Sequence, residues 1–341
     1  MRTMIILPYF GKFNSYFRLW LDSCSRNQEF EWMIVTDIAI KETIPSNVRI
    51  VSLTLSELKE QFQKKMNVFL TLKDAYKLCD YKQFYGYLFS EYLVGYDYWG
   101  YCDCDLVFGK IKNFLTSDLQ FSYDKLFRTG HFSVIRNDVA INELFFKYNT
   151  YKITLTSPVI YGYDESITGY HLGFAGELLD CGYKFFDCAE WIADIDFRHY
   201  PFYEISNPTT PCVFSYERGR VFRIDWNDGN LVKSEKMYVH LQKRMMDVED
   251  GINPDCYLIC PNKFLKYNEE IDYFDNNSNV IRDINYENKI INDLQLYGFI
   301  VDKNRIILSD LNKIVKLIDI GLNELASKYN VYSTENFKKL N

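Results

Sequence analysis

Two carboxylates one residue apart, Asp103 and Asp105, close the aromatic run Tyr98-Trp99-Gly100-Tyr101-Cys102 and precede the apolar triplet Leu106-Val107-Phe108. Residues i and i+2 of a strand share a face, so both carboxylates can reach one point. Paired carboxylates at a buried strand end suit a hard divalent cation, Mg²⁺ or Mn²⁺, which takes oxygen ligands and keeps positions open for a substrate phosphate. The alternative is a polar strand end facing solvent. Asp194-Ile195-Asp196 repeats the spacing, but Phe197-Arg198-His199-Tyr200-Pro201 follows it and reads as a loop, so strand context favours the first pair.

Other residues of suitable chemistry are scattered along the chain. His240 ends the short apolar run Met237-Tyr238-Val239 and is followed by Leu241-Gln242-Lys243-Arg244. This is either a third metal ligand with two cations for phosphate oxygens, or a polar loop. Asp80 stands at an N-cap position, with Lys82 in the first turn after it, where a cation is disfavoured unless a ligand phosphate shares that end. Asp164 and Glu165 open a helix whose apolar face carries Ile167, His171, Phe174 and Leu178, with Gly182 as terminator. Both acids are accounted for as partners of the helix dipole, and His171 as a core histidine; at a cleft rim the same acidic position can hold a general base.

The elements that must position these groups alternate between strand and helix. Residues 3–9, 31–36 and 48–53 read as strands, and Phe13, Phe17, Trp20, Leu21 and Cys24 mark an amphipathic helix over 13–26. Thr54 and Glu57 form a capping box for a helix with Leu55, Leu58, Phe62 and Met66 on its core face. A further helix runs from Asp80 to about residue 94, a strand ends near 135, Asn137 or Asp138 caps a helix through 146, and 183–188 is a strand. From there to about 225 the chain, with Pro201, Pro208 and Pro211, reads as loop. Such alternation predicts an α/β protein with a parallel, doubly wound sheet. The ligand crevice of such a sheet lies beyond the carboxyl ends of its strands. Pro8-Tyr9-Phe10, Thr36-Asp37 and Asp103-Cys104-Asp105 all fall at such ends. Neither a dinucleotide-binding glycine fingerprint nor a P-loop is present.

Charge and cysteine usage narrow the function classes. With 39 basic and 46 acidic residues the net charge is 39 − 46 = −7, so no basic footprint for nucleic acid exists and a phosphate must be held locally. The aromatic fraction, 17%, suits a carbohydrate surface but is equally the mark of an AT-rich genome. Nine cysteines at irregular positions in a chain of this size indicate thiols in a reducing compartment, and Cys102-x-Cys104 and Cys256-x-x-x-Cys260 lack a second pair at zinc spacing. Residues 4–10 make a poor signal peptide and no apolar stretch approaches the roughly 20 residues of a membrane span. A cytoplasmic protein is expected, with peripheral attachment to the inner membrane face left open. From Asn268 the chain turns polar and then helical near 311–328, so residues 266–341 read as an appendage.

Taken in order, Ile6-Leu7-Pro8-Tyr9-Phe10-Gly11, Thr36-Asp37, Lys77-Leu78-Cys79-Asp80-Tyr81-Lys82, Gly100-Tyr101-Cys102-Asp103-Cys104-Asp105, Gly130-His131-Phe132-Ser133 and Val239-His240-Leu241-Gln242-Lys243-Arg244 resemble bacterial glycosyltransferases of the GT-A fold. The likeness is to a group found in capsule and surface-polysaccharide loci, and it spans residues 1–265. The resemblance implies a GT-A type domain, a mostly parallel sheet flanked by helices, and hexosyl transfer from a nucleotide sugar, UDP-linked, to a saccharide or lipid-linked saccharide. Carried onto this chain, it implies Mn²⁺ or Mg²⁺ held by Asp103, Asp105 and His240 and bridging the diphosphate. It places uridine and ribose against Pro8, Tyr9, Thr36 and Asp37, with Asp80, Lys82, Asp103, His131 and Lys243 also on the nucleotide-sugar side. Asp164 or Glu165 becomes the acceptor-side carboxylate, a base in an inverting enzyme or a sugar ligand in a retaining one. A metal-dependent phosphohydrolase or nucleotidyltransferase, and a glycan-binding module, are the competing readings.

Overall fold

A computed structural model describes residues 1–161, 173–197, 199, 201–227, 230–242 and 244–267, with tail segments 299–302, 305–308 and 332–333. The chain opens with β1 (Thr3–Pro8), α1 (Phe17–Ser25), β2 (Phe30–Thr36), β3 (Val48–Ser52), α2 (Leu55–Met66) and β4 (Tyr98–Cys102). It continues with β5 (Leu106–Phe108), β6 (Lys125–Leu126), β7 (Phe132–Arg136), α3 (Gly173–Asp180), β8 (Phe185–Phe186) and β9 (Ile192–Asp194). The main sheet has the order β3-β2-β1-β4-β7-β6-β8.

β1, β2 and β4 are nearly continuous apolar runs because both of their faces are covered. Met4 and Ile6 join Met33, Val35 and the α2 residues Leu58, Phe62 and Met66 on one face. Ile5 and Leu7 join Trp32, Ile34 and the α1 residues Phe17, Trp20, Leu21 and Cys24 on the other. Gly100 lets the central strands close up: a Cβ there would lie 2.3 Å from the Ser133 carbonyl oxygen and 2.8 Å from Ile5 Cδ1. The capping box forms as the sequence indicates, with Glu57 N donating to Thr54 Oγ1 at 3.2 Å and Thr54 N donating to Glu57 Oε2 at 2.8 Å.

Several sequence expectations are corrected. The sheet is mixed rather than wholly parallel: β3, β2, β1 and β4 run parallel, but β7 is antiparallel to both β4 and β6. Apolar patterning marks a strand without giving its direction, and the chain re-enters beside Cys102 at Phe132, heading back. The helix expected from Asp80 onward is a 3₁₀ run, Ala75–Phe84, followed by one helical turn, Tyr85–Leu88; its cap is Asp74, which accepts from Lys77 N. Asp80 therefore lies inside that run and is not a cap. Asp138 caps Val139–Asn142, accepting from Ala140 N and Ile141 N at 2.8 and 3.3 Å.

The stretch read as loop to about 225 is largely sheet. After β9 come β10 (Phe202–Glu204), β11 (Asn207–Glu217), β12 (Arg220–Asn227), β13 (Asn230–Lys236), β14 (Tyr238–His240), β15 (Asp247–Val248), β16 (Cys256–Cys260) and β17 (Lys263–Lys266). β13-β12-β11-β16-β17-β15 form a second sheet, with β10 on β11, and β5-β14-β9 a third. Pro208 and Pro211 sit in the first half of β11, where its pairing with β10 shifts register; prolines are tolerated at such irregular positions. Past them the period of two appears: Cys212, Phe214 and Tyr216 face one core and Val213 another. Buried Glu204 on β10 is matched by Lys236 at 2.8 Å and Arg223 at 3.2 Å. The part of the predicted helix that carries Asp164, Glu165 and His171 lies outside the described residues, as do Lys243 and the expected helix near 311–328. Among the described residues no helix is long and apolar enough to cross a membrane.

Candidate functional site

Three strand ends meet where the main sheet and the small sheet adjoin. β4 stops at Cys102, and the chain turns through Asp103-Cys104-Asp105 before starting β5. β14 pairs antiparallel with β5, His240 opposite Leu106, and parallel with β9, His240 opposite Asp194. Asp105, His240 and Asp194 are thereby brought to one edge. Backbone hydrogen bonds fix the junction: Leu241 N donates to Asp105 O at 2.9 Å, Ile195 N to His240 O at 3.1 Å and Asp103 N to His131 O at 3.0 Å. Trp20 Nε1 and Asn14 Nδ2 hold the carbonyls of Asp103 and Cys104 at 3.2 and 2.9 Å.

The side chains of Asp103, Asp105 and His240 place their ligand atoms within 4.8 Å of one another. His240 Nε2 lies 3.6 Å from Asp105 Oδ1, and Nδ1 lies 2.7 Å from Asp194 Oδ1. Lys82 Nζ donates to Asp103 Oδ1 at 2.9 Å and to the Gly130 carbonyl at 2.8 Å. His131, Asp194 and His240 form an adjoining group within the same 4.8 Å, the two rings stacked at 4.1 Å. His131 Nδ1 is 3.0 Å from the Tyr238 hydroxyl, and its Nε2 is 3.8 Å from Asp194 Oδ2. Burial is the largest single influence on His240 and pushes the imidazole down, but Asp105 and Asp194 together override it and hold its pKa up at about 10. A cation held between these groups would compete with the proton that the two carboxylates favour on His240.

Beside this cluster opens a cleft of about 420 Å³, lined among others by Pro8, Tyr9, Lys82, Asp103, Asp105 and Arg244. Tyr9 stacks on Phe13 with ring centroids 4.8 Å apart, and its hydroxyl donates to Lys12 O at 3.0 Å. Burial, followed by Cys104, pushes its phenol well above the usual range. Arg244 is buried, its guanidinium 4.8 Å over the Phe202 ring and donating to the His199 carbonyl.

Not every candidate reaches the cleft. Thr36 is buried at the end of β2, its Oγ1 accepting from Ile38 N at 3.1 Å, and Asp37 is exposed beyond it. Both stand on the same rim as β1, since Tyr9 N donates to Val35 O at 2.9 Å, yet outside the cleft lining. Asp80 is fully buried, 2.6 Å from Lys77 Nζ, and accepts from Tyr161 N at 2.9 and 3.1 Å, so it ties chain segments together behind the cleft. Asp164, Glu165 and Lys243 lie outside the described residues. Asp194, assigned to a loop from sequence, instead ends β9 and bonds His240. The available signal was the apolar Trp191-Ile192-Ala193 before it, the same pattern that marks Asp103.

Fold and site together define an α/β protein with a carboxylate and histidine cluster at the carboxyl end of its central parallel strand. The chain belongs to a family of unknown function, DUF6625, whose profile matches residues 5–268. Residues 259–341 match a bacterial SNF2 helicase associated profile. No curated protein matches the chain.

Proposed function

We propose that the protein is a metal-dependent glycosyltransferase that takes a sugar from a UDP-linked donor to a saccharide or lipid-linked saccharide acceptor. The observation that carries this reading is the convergence of Asp103, Asp105 and His240 beside a cleft that Pro8 and Tyr9 also line. Two carboxylates and an imidazole within 4.8 Å form a hard-to-borderline donor set that fits Mn²⁺ and, less closely, Mg²⁺. Strands β3-β2-β1-β4 in parallel, β7 antiparallel beyond them and a small sheet carrying the histidine support a GT-A type fold.

When bound, the cation neutralises charge on the departing nucleoside diphosphate. Lys82 and Arg244 add positive charge on the cleft wall, and Lys243 is assigned the same task. Tyr9, stacked on Phe13, offers the uracil a flat apolar surface, with Pro8 beside it; Thr36 and Asp37, outside the cleft lining, take no part in this reading. Asp164 or Glu165 serves the acceptor, as base for inversion or as a sugar ligand for retention. No disulfide joins any of the nine cysteines, which supports a cytoplasmic setting, with peripheral membrane contact where the acceptor is lipid-linked.

Calorimetric titration of UDP with and without Mn²⁺ tests the reading. Binding that requires Mn²⁺, followed by UDP release from one member of a UDP-sugar panel, is expected. Metal-independent or absent binding overturns it, and phosphate or nucleoside monophosphate release without sugar transfer favours a phosphohydrolase or nucleotidyltransferase.

A further inference from the structure

Two groups of potential ligands share His240: Asp103 with Asp105, and His131 with Asp194. We propose that only the first holds the cation, and that Asp194 is a positioning residue that fixes the His240 ring so that Nε2 faces it. The inference rests on the metal-dependent reading above.

The geometry around Asp194 carries the assignment. A carboxylate only accepts, so at 2.7 Å the His240 Nδ1 must carry the hydrogen it shares with Asp194 Oδ1, leaving Nε2 as the nitrogen for coordination. That nitrogen faces Asp105, 3.6 Å away. The same Oδ1 accepts from Gln242 Nε2 at 2.6 Å, and Gln242 is held at φ +53°, a left-handed turn immediately after β14. Oδ2 faces His131 Nε2 at 3.8 Å, and His131 is anchored from behind by Tyr238 at 3.0 Å. With His131 stacked on His240 at 4.1 Å, the ring is gripped on an edge and on a face. An outer carboxylate that orients a metal-binding histidine contributes about 10–100-fold in metal affinity.

The test uses the full chain and Mn²⁺ alone. Pulsed electron paramagnetic resonance of the bound ion should show one imidazole nitrogen in the wild type; two place the ion among His131, Asp194 and His240, and none removes His240 from the site, so either overturns the proposal. Asp194→Ala should bind Mn²⁺ 10–100-fold more weakly. At saturating Mn²⁺ its nitrogen coupling should be lost, whereas a merely structural role leaves that coupling intact. Asp194→Asn should retain the coupling, because its Oδ1 can still accept from His240 and Gln242. Unchanged affinity and coupling in the alanine variant overturn the proposal while leaving the metal site standing; a wild type that binds no Mn²⁺ removes the metal-dependent reading itself. Should the alanine variant not fold, the wild-type nitrogen count and the asparagine variant decide.

Discussion

Replacing Lys82 by methionine separates two affinities that ordinary site mutations lower together. The Lys82 ammonium bonds Asp103 Oδ1 at 2.9 Å and the Gly130 carbonyl at 2.8 Å, with its side chain 11% exposed. Lys82 thereby competes with a cation for the Asp103 carboxylate. A hydrogen bond between charged groups contributes about 1.5–3 kcal/mol, or roughly 10–100-fold. Methionine keeps the length and loses the charge, so Mn²⁺ alone should bind Lys82→Met about tenfold more tightly. UDP should behave in the opposite way: at saturating Mn²⁺ its diphosphate no longer meets the ammonium, and its affinity should fall about 10–100-fold. Two-stage calorimetry, Mn²⁺ first and UDP second, reads both, with circular dichroism as the control for folding. A folded variant with weaker Mn²⁺ binding would show that Lys82 supports Asp103 rather than competing for it. Unchanged UDP affinity would place the phosphates elsewhere.

Other perturbations probe the frame and the site separately. At 100 times its Kd, Mn²⁺ should stabilise the wild type by about 2.7 kcal/mol, seen as a raised Tm in scanning calorimetry, and Asp105→Asn should lose that rise. Gly100→Ala drives a Cβ to within 2.3 Å of a backbone oxygen in the central strands, so urea titration should show a loss of about 3 kcal/mol or failure to fold. Thr54→Ala removes the capping box of α2 and should lower stability by about 1 kcal/mol while leaving UDP affinity unchanged.

The parts of this protein that are legible in its sequence are those governed by local chemistry. β1, β2 and β4 announce themselves because strands buried on both faces need unbroken apolar runs, and Thr54 with Glu57 because a cap acts over three residues. Asp103 and Asp105 could be placed at a strand end for the same reason, and His240 after the short run 237–239. What the sequence leaves dark depends on pairing across distance. The direction of β7 is decided by where the chain re-enters, and β11 is masked by prolines that its bulged pairing accommodates. Asp80 has the local look of a cap, yet Asp74 takes that place and a buried Lys77 partner takes Asp80. The residues after Asp194 resemble a loop, and only the parallel pairing of β9 with β14 brings it to His240.

The most direct measurement is an anomalous difference map at the manganese edge from crystals grown with UDP and Mn²⁺. The expected result is one peak bounded by Asp103, Asp105 and His240, with the diphosphate in the cleft beside Lys82 and the uracil against Tyr9. UDP bound without a manganese peak, or manganese held by other residues, would contradict the metal-bridged donor site on which the proposed function rests.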